Sequence, residues 1–339
     1  MSLARLLLFS LALVTTFSRA ASVSDIDISP KTQRNDVFPR PTVPFAAGVT
    51  ALPDIEYSNL MGYRPLLLDL YIPKAGVTHP LVIWIHGGGW SRGDSRGNGA
   101  ITNFPAALAE LAARGYVVAS VNYRLSGEAK FPAQIQDVNA AIAYLKTNSA
   151  RYRIDPARVL LWGGSAGGHL AALAALTCGV ADYAPEPNTG RLGRTEALAA
   201  KAPEVSTCVQ GAVIWYGVSE IESLHSENST SLLGCDCADK MAMASPVNRV
   251  TSKAPPMLLI HGTADTEVPV AQSHALEARL KANGVPVQAL YIPDVDHGFI
   301  GKTPRATRDA TLAALDATFV FIDQVMAPPG RARAGAASR

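Results

Sequence analysis

The chain has 339 residues, of which 48% are hydrophobic and 17% charged, and its formal net charge is only +2. That balance excludes a disordered polyelectrolyte and gives no reason to expect nucleic acid or an anionic membrane surface as partner. The length suits one large globular domain with a sizeable core.

Residues 1–20 read as a secretory signal. Arg5 supplies the positive start, Leu6 to Phe17 is an apolar run broken only by Ser10, Thr15 and Thr16, and Ser18-Arg19-Ala20 has the small-x-small form of a cleavage site. The run is shorter than the about 20 residues a membrane span needs. No other segment is long enough, so stable membrane insertion is not expected. Removal takes Arg5 and Arg19 from the 30 basic residues and leaves them matched to the 28 acidic ones. Export makes the four cysteines candidates for two disulfides.

Residues 21–50, rich in Ser, Pro, Thr and Asp, are expected to be an extended lead-in. Ile55-Glu56-Tyr57 and Leu66 to Ile72 predict a strand pair, with a turn at Met61-Gly62. Leu81 to Ile85 is a continuous apolar run of buried-strand type. A helix is expected over Phe104 to Ala113 and a strand over Tyr116 to Val121. Pro132 opens a helix to about Asn148, with apolar residues at Ile135, Val138, Ala141, Ile142 and Leu145. Arg158 to Trp162 is a strand and Ala166 to Thr177 its helix. Further strands fall at Val209 to Trp215, Met257 to His261 and Val287 to Ile292. Further helices fall at Ala271 to Ala282 and Ala306 to Val325. This alternation predicts an α/β fold with a mainly parallel, doubly wound sheet and helices on both faces. The domain spans 51–326. Two stretches, 179–207 and 217–255, break the alternation and read as inserts, loops or short helices added to the core. Residues 327–339 read as a disordered tail.

The chemistry centres on Gly163-Gly164-Ser165-Ala166-Gly167. The G-x-S-x-G pattern follows a strand and opens a helix, which is the context of a strained turn that lifts a serine hydroxyl above a sheet. Glycine and serine also make ordinary turns, but without this context. A serine nucleophile needs a base, a group that orients the base, and donors for the oxyanion. Asp265 follows the strand Leu258 to His261, and His297 follows the strand ending at Ile292. Ligands bind at the carboxyl ends of parallel strands, so these loops can converge. Ser165 is therefore read as nucleophile, His297 as general base and then acid, and Asp265 as its orienter.

Rival acids are Glu267, which lies nearer a helix, and Asp294 and Asp296, which share the His297 loop. Asp265 could also be a cap for the following helix. Rival histidines are His79, His225 and His274 in polar or helical settings, His86 and His261 at strand ends, and His169 on the nucleophile helix. The oxyanion donors are expected from His86-Gly87-Gly88-Gly89-Trp90, through Gly88 and Gly89, and from the N–H of Ala166. Trp90, Tyr216 and Phe299, with Trp215, are expected to wall the substrate cleft. No cofactor or metal is expected: no His, Cys or carboxylate cluster has metal spacing.

In order along the chain stand His86 to Trp90, Asn122-Tyr123-Arg124-Leu125-Ser126, Phe131-Pro132-Ala133, Asp137 and Ile154-Asp155-Pro156. Gly163 to Leu170, Ala244-Ser245-Pro246, Ile260 to Asp265 and His297-Gly298-Phe299 follow. This set resembles the α/β-hydrolase serine esterases of the hormone-sensitive-lipase-related branch, and most of all the bifunctional feruloyl and acetyl-xylan esterases. The resemblance covers about residues 54–325. It implies an α/β-hydrolase fold and oxyanion binding by Gly88, Gly89 and Ala166. It also implies that Tyr123, Arg124 and Asp137 are structural ties beneath the site. Cys235-Asp236-Cys237 and the insert 179–207 depart from the pattern.

The expected function is an exported, secreted or periplasmic serine carboxylesterase. It would act on short-chain or aromatic acyl esters, either small molecules or feruloyl and acetyl groups on plant polysaccharide. An arylformamidase or small peptidase on the same core, and a non-catalytic binding protein on a hydrolase scaffold, are the alternatives. The sequence leaves the oligomeric state open. Cys178 ends the nucleophile helix and Cys208 opens a parallel strand. Both then lie at the sheet edge away from the site and should pair. Cys235 and Cys237 could close a small strained ring with each other, a pairing the sequence leaves open.

Overall fold

The computed structural model describes residues 41–74, 78–188, 205–224, 226–235 and 237–327. The signal segment, the lead-in up to residue 40, part of the first insert and the tail from 328 lie outside the described residues. Nine strands form one sheet in the order β1-β2-β3-β5-β4-β6-β7-β8-β9. β1 (Val43–Pro44), β2 (Thr50–Ser58) and β3 (Leu66–Ile72) are antiparallel neighbours, and β3 pairs antiparallel with β5 (Val117–Val121). The rest is parallel: β4 (His79–Ile85), β6 (Ile154–Gly164), β7 (Gly211–Trp215), β8 (Met257–Gly262) and β9 (Val287–Ile292).

The central parallel segments 81–85, 159–162, 212–215 and 257–260 are unbroken apolar runs because both their faces are covered, while the edge strand β9 carries Gln288 and is partly exposed. On β4, Leu81, Ile83 and Ile85 face one core layer and Val82 and Trp84 the other. The first layer is closed by α2 (Ala133–Thr147) and α4 (Ala166–Leu176), through Val138, Ile142 and Leu170. The second is closed by α1 (Phe104–Ala113) and by the long helix Pro304–Met326, through Leu108, Phe319 and Ile322. A short helix, α3 (Ser149–Tyr152), leads into β6. The N-terminal amides are satisfied locally: Ala106 N donates to Asn103 Oδ1 and Ala306 N to Thr303 Oγ1.

Strand order reverses at β4, which lies between β5 and β6. Chain therefore leaves β4 and β6 in opposite directions, and the crevice above their carboxyl ends is the topological switch point where ligands bind in such sheets. The oxyanion loop follows β4 and Ser165 follows β6.

The second insert is more ordered than a loop. It carries α5 (Glu227–Leu233), opened by a reciprocal Ser226–Ser229 cap, and α6 (Ala238–Ala244). α7 (Ala271–Ala282) follows β8, and the Pro304–Met326 helix is α8. The predicted ties are in place. Arg124 grips Asp137 at 2.7 Å with both buried, and the Tyr123 hydroxyl donates to the His86 carbonyl at 3.0 Å. Cys178 is bonded to Cys208 and Cys235 to Cys237.

Candidate active site

Ser165 sits between β6 and α4 with φ 55° and ψ −123°, a conformation L-residues rarely hold. The turn is possible because its neighbours lack side chains: a Cβ on Gly167 would stand 2.0 Å from the Ile85 carbonyl oxygen. The nucleophile turn is thus wedged against the end of β4. Its amide donates to Trp215 O at 2.9 Å, which ties it to β7 as well.

His297 lies in a three-residue turn, His297–Phe299, held between β10 (Val295–Asp296) and β11 (Ile300–Gly301). Its Nε2 is 3.0 Å from Ser165 Oγ and its Nδ1 is 2.8 Å from Asp265 Oδ2. Asp265 follows β8 and its side chain is fully buried. Its Oδ1 accepts the amides of Glu267 at 3.0 Å and Val268 at 2.8 Å. The local cap and the histidine partner read as rivals from the sequence are therefore one carboxylate doing both. Burial by itself would raise this carboxyl. Hydrogen bonds from His261 and His297, the His297 charge and the Val268 amide outweigh burial and hold it at about 2.

The rival acids fall elsewhere. Glu267 is 3.9 Å from His297 Nε2, the wrong nitrogen for an orienter, and is exposed. Asp296 accepts from Thr266 and from the His297 amide, and Asp294 is exposed. His86 and His169 are buried and His79 is bonded to Gly115 O. His274 packs against Tyr291, and His225 lies outside the described residues.

A cleft of about 720 Å³ opens over this chain of groups. Gly88 and Gly89 border it, as does Ala166, whose N–H heads α4 and has no acceptor within the helix. The helix dipole adds partial positive charge at that point. These amides can hold an oxygen that gains negative charge. Tyr216 also lines the cleft. It stands edge-on to His297 at 4.7 Å, and burial, with Asp265 nearby, pushes its phenol well above the usual range, so it stays neutral.

Two expectations need correction. Phe299 does not border the cleft. A positive φ of 62° turns its ring inward, where it packs on Trp215 and Tyr216 and is 1% exposed. Trp215 is likewise core, its indole N–H donated to Thr318 Oγ1. Trp90 borders the cleft, yet it is also a buried anchor, its indole N–H donated to His169 Nδ1 at 3.1 Å. The sequence reading missed two residues. Asn228, from the second insert, lays its carboxamide against Gly89. His261 brings a second imidazole to Asp265, at 3.2 Å. The spacing His261-Gly262-x-x-Asp265 was the available signal for the latter.

The BD-FAE family model matches residues 68–280. The chain belongs to the BD-FAE family. Esterase LipQ of Mycobacterium tuberculosis (strain ATCC 25618 / H37Rv) is 33% identical over 260 residues, which is 73% of this chain and 56% of LipQ. Esterase LipC of the same strain is 33% identical over 250 residues, 69% of this chain and 57% of LipC. The chain thus spans about half the length of the curated relatives it matches. Among solved structures, a truncated carbohydrate esterase from gut microbiota superposes with a TM-score of 0.67 at 28% identity, covering 84% of this chain and 99% of that one. The acetyl ester-xyloside bifunctional hydrolase of Caldicellulosiruptor lactoaceticus has a TM-score of 0.63 at 24% identity, over 79% of this chain and 96% of that one, a likeness of fold. The mainly parallel sheet described above is the α/β-hydrolase fold, shared with these solved structures.

Proposed function

We propose that this protein is an exported serine carboxylic-ester hydrolase for short-chain or aromatic acyl groups, including acetyl or feruloyl groups carried by plant polysaccharide. The single observation that carries the reading is the hydrogen-bonded line Ser165 Oγ, His297, Asp265, at 3.0 and 2.8 Å, beneath an open cleft.

Ser165 Oγ attacks the ester carbonyl carbon while His297 Nε2 takes its proton. The carbonyl oxygen becomes an oxyanion, held by the amides of Gly88, Gly89 and Ala166. The C–O bond to the alcohol breaks as His297 returns the proton to the leaving oxygen, and an acyl-Ser165 remains. Water then gives a proton to His297 and attacks the acyl carbon. Ser165 leaves with that proton and the acid is released. Asp265 stays ionised throughout, holding Nδ1–H so that Nε2 faces Ser165.

The acyl preference follows from the cleft. Val218, Leu224 and Val268 give it a limited apolar lining beside Tyr216. Such a wall suits flat or short acyl groups, which lose little rotamer freedom on burial. The names of the similar proteins, esterases and a carbohydrate esterase, support the reaction and the substrate class. The signal-like residues 1–20 and the two disulfides support export. No helix of the described residues is long and apolar enough to cross a membrane.

The test is a panel of nitrophenyl esters from acetate to palmitate, with methyl ferulate and acetylated xylan, on the wild type and Ser165→Ala. Acetate and butyrate should turn over far faster than esters of about ten carbons or more. A kcat/KM that climbs to palmitate, with activation at an oil interface, would instead identify a lipase. Turnover of formyl anilides alone would identify an arylformamidase. Export predicts a mature N-terminus at Ala21 in culture fluid or periplasm.

A further inference from the structure

Asp265 is shared by two imidazoles, and only one of them faces the serine. His261, at the end of β8, is fully buried. Its Nε2 lies 2.8 Å from the Val268 carbonyl oxygen and 3.2 Å from Asp265 Oδ2. Its Nδ1 lies 2.7 Å from the hydroxyl of Ser273, itself buried on α7. These partners assign the tautomer. Two acceptor oxygens face Nε2, so Nε2 carries the proton. Nδ1 is then an acceptor, and the Ser273 hydroxyl donates to it.

The arrangement closes on itself. Val268, which receives the His261 N–H on its carbonyl, sends its own amide to Asp265 Oδ1 at 2.8 Å. His261 therefore grips the carboxylate twice, by direct approach to Oδ2 and by fixing the backbone of Val268, whose amide holds Oδ1. The Glu267 amide takes the remaining direction on Oδ1. A carboxylate so enclosed cannot rotate about its Cβ–Cγ bond without giving up several contacts at once. Oδ2 is thereby kept on the line to His297 Nδ1.

We propose that His261, fixed in its tautomer by Ser273, is a positioning residue of the reaction: it locks the Asp265 carboxylate in the rotation that aims His297 at Ser165. His261 touches no substrate, and the inference rests on the esterase reading given above. Its effect must pass through Asp265. It should appear in kcat, where the imidazolium forms, and not in KM.

The experiment measures kcat and KM for nitrophenyl acetate with His261→Leu, His261→Gln and Ser273→Ala, each alone and in an Asp265→Asn background, with melting temperatures alongside. His261→Leu should lower kcat by about tenfold to a hundredfold, the range for a lost hydrogen bond to a charged group, with KM within about twofold. His261→Gln, which restores an N–H donor, should recover part of the loss. Ser273→Ala should show a smaller loss of the same kind. In the Asp265→Asn background, none of the three should cost more than about twofold further, because residues acting through one carboxylate are not additive. Equal losses in both backgrounds, full activity in His261→Leu, or a loss carried by KM would overturn the proposal.

Should His261→Leu not fold, the Gln and Ser273 variants decide the question by the same comparison. If the wild type hydrolyses no ester, the esterase reading falls separately. The low-field proton resonance of the His297 Nδ1–H bond then serves as readout. Its weakening in Ser273→Ala and His261→Gln supports the lock, and its persistence unchanged overturns it.

Discussion

The indole N–H of Trp90 is donated to Nδ1 of His169 across 3.1 Å in the buried core. Trp90 directly follows Gly88 and Gly89, while His169 stands one turn into α4, its amide bonded to the Ser165 carbonyl. One side-chain bond thus joins the loop that carries two of the proposed oxyanion donors to the helix that carries the third. His169 Nε2 donates in turn to the Ala244 carbonyl at 2.6 Å, extending the tie to the second insert.

Trp90→Phe removes the donor and leaves His169 Nδ1 buried without a partner. The expected cost is about 1–3 kcal/mol of stability, with an added term for the lost ring volume. Loosening between Gly89 and Ala166 should also lower kcat more than it raises KM. Urea unfolding and steady-state kinetics of the same preparation check both.

The two buried histidines near the oxyanion loop make the protein sensitive to mild acid. Burial pushes His169 and His86 from the ordinary 6.5 down to about 4, against the opposing pull of hydrogen bonds to the Ala244 and Gly87 carbonyls. Geometry agrees: His169 Nδ1 faces a donor, and His86 Nε2 is buried with no hydrogen-bond partner among the described residues. Between about 6.5 and 4 the unfolded chain binds protons that the folded chain refuses, so stability falls as pH drops through that window. The loss is at most about 3 kcal/mol for each histidine. Asp265 acts lower: its depressed carboxyl adds stability above the ordinary carboxylate range, which is lost as pH falls towards about 2. Urea midpoints from pH 7.5 to 4.5 should decline, and His169→Gln should flatten the decline. A midpoint constant over that range would contradict the neutral assignment.

Ser165 is held where glycine would be at ease. A residue in such a region carries about 1–3 kcal/mol of strain. Ser165→Gly should therefore unfold at higher urea than Ser165→Ala, by about 1 kcal/mol, although its side chain is smaller still. Both variants should lose about a millionfold in kcat.

The neighbouring glycines should differ from each other. A Cβ on Gly88, at φ 106°, would stand 2.2 Å from the Arg92 carbonyl oxygen, a backbone atom. A Cβ on Gly89 would instead meet the Asn228 carboxamide at 2.7 Å, the end of a side chain that can turn away. Gly88→Ala should lose about 10²–10³ in kcat, the range for a displaced oxyanion donor, and melt earlier. Gly89→Ala should lose less, and adding Asn228→Ala should return part of the loss. Equal effects at the two positions would count against the geometry of this loop.

Much of this was legible because Ser165, Asp265 and the oxyanion glycines each follow an apolar run. Leu81–Ile85, Arg158–Trp162 and Met257–His261 could be read as buried strands from composition and bounding glycines alone, and parallel strands send their carboxyl ends to one edge. The helices Phe104–Ala113 and Ala271–Ala282 had the length that lets caps and spacing speak, and they occur with those bounds. What was not legible depended on short or twisted pieces. β10 and β11 have two residues each, too few for any period. The insert helices Glu227–Leu233 and Ala238–Ala244 have seven each, two turns without a clear apolar stripe. Phe299 was misjudged because sequence adjacency to His297 says nothing about a left-handed φ, which sends the ring to the opposite side. His261 ends a strand, where a backbone partner is the ordinary expectation, and it has one in the Val268 carbonyl. Its approach to Asp265 arises only when the loop folds back over the strand end.

The bond between Cys178 and Cys208 encloses the whole first insert in a covalent ring at the foot of β7. A peptide bond cut anywhere between those cysteines would leave one molecule rather than two. Such a nicked protein should migrate as a single band on a non-reducing gel and as two fragments once thiol is added. The edge that carries Ser165, Asp265 and His297 lies at the other end of the strands, so a single cut inside the ring leaves both halves of the sheet covalently tethered beneath it.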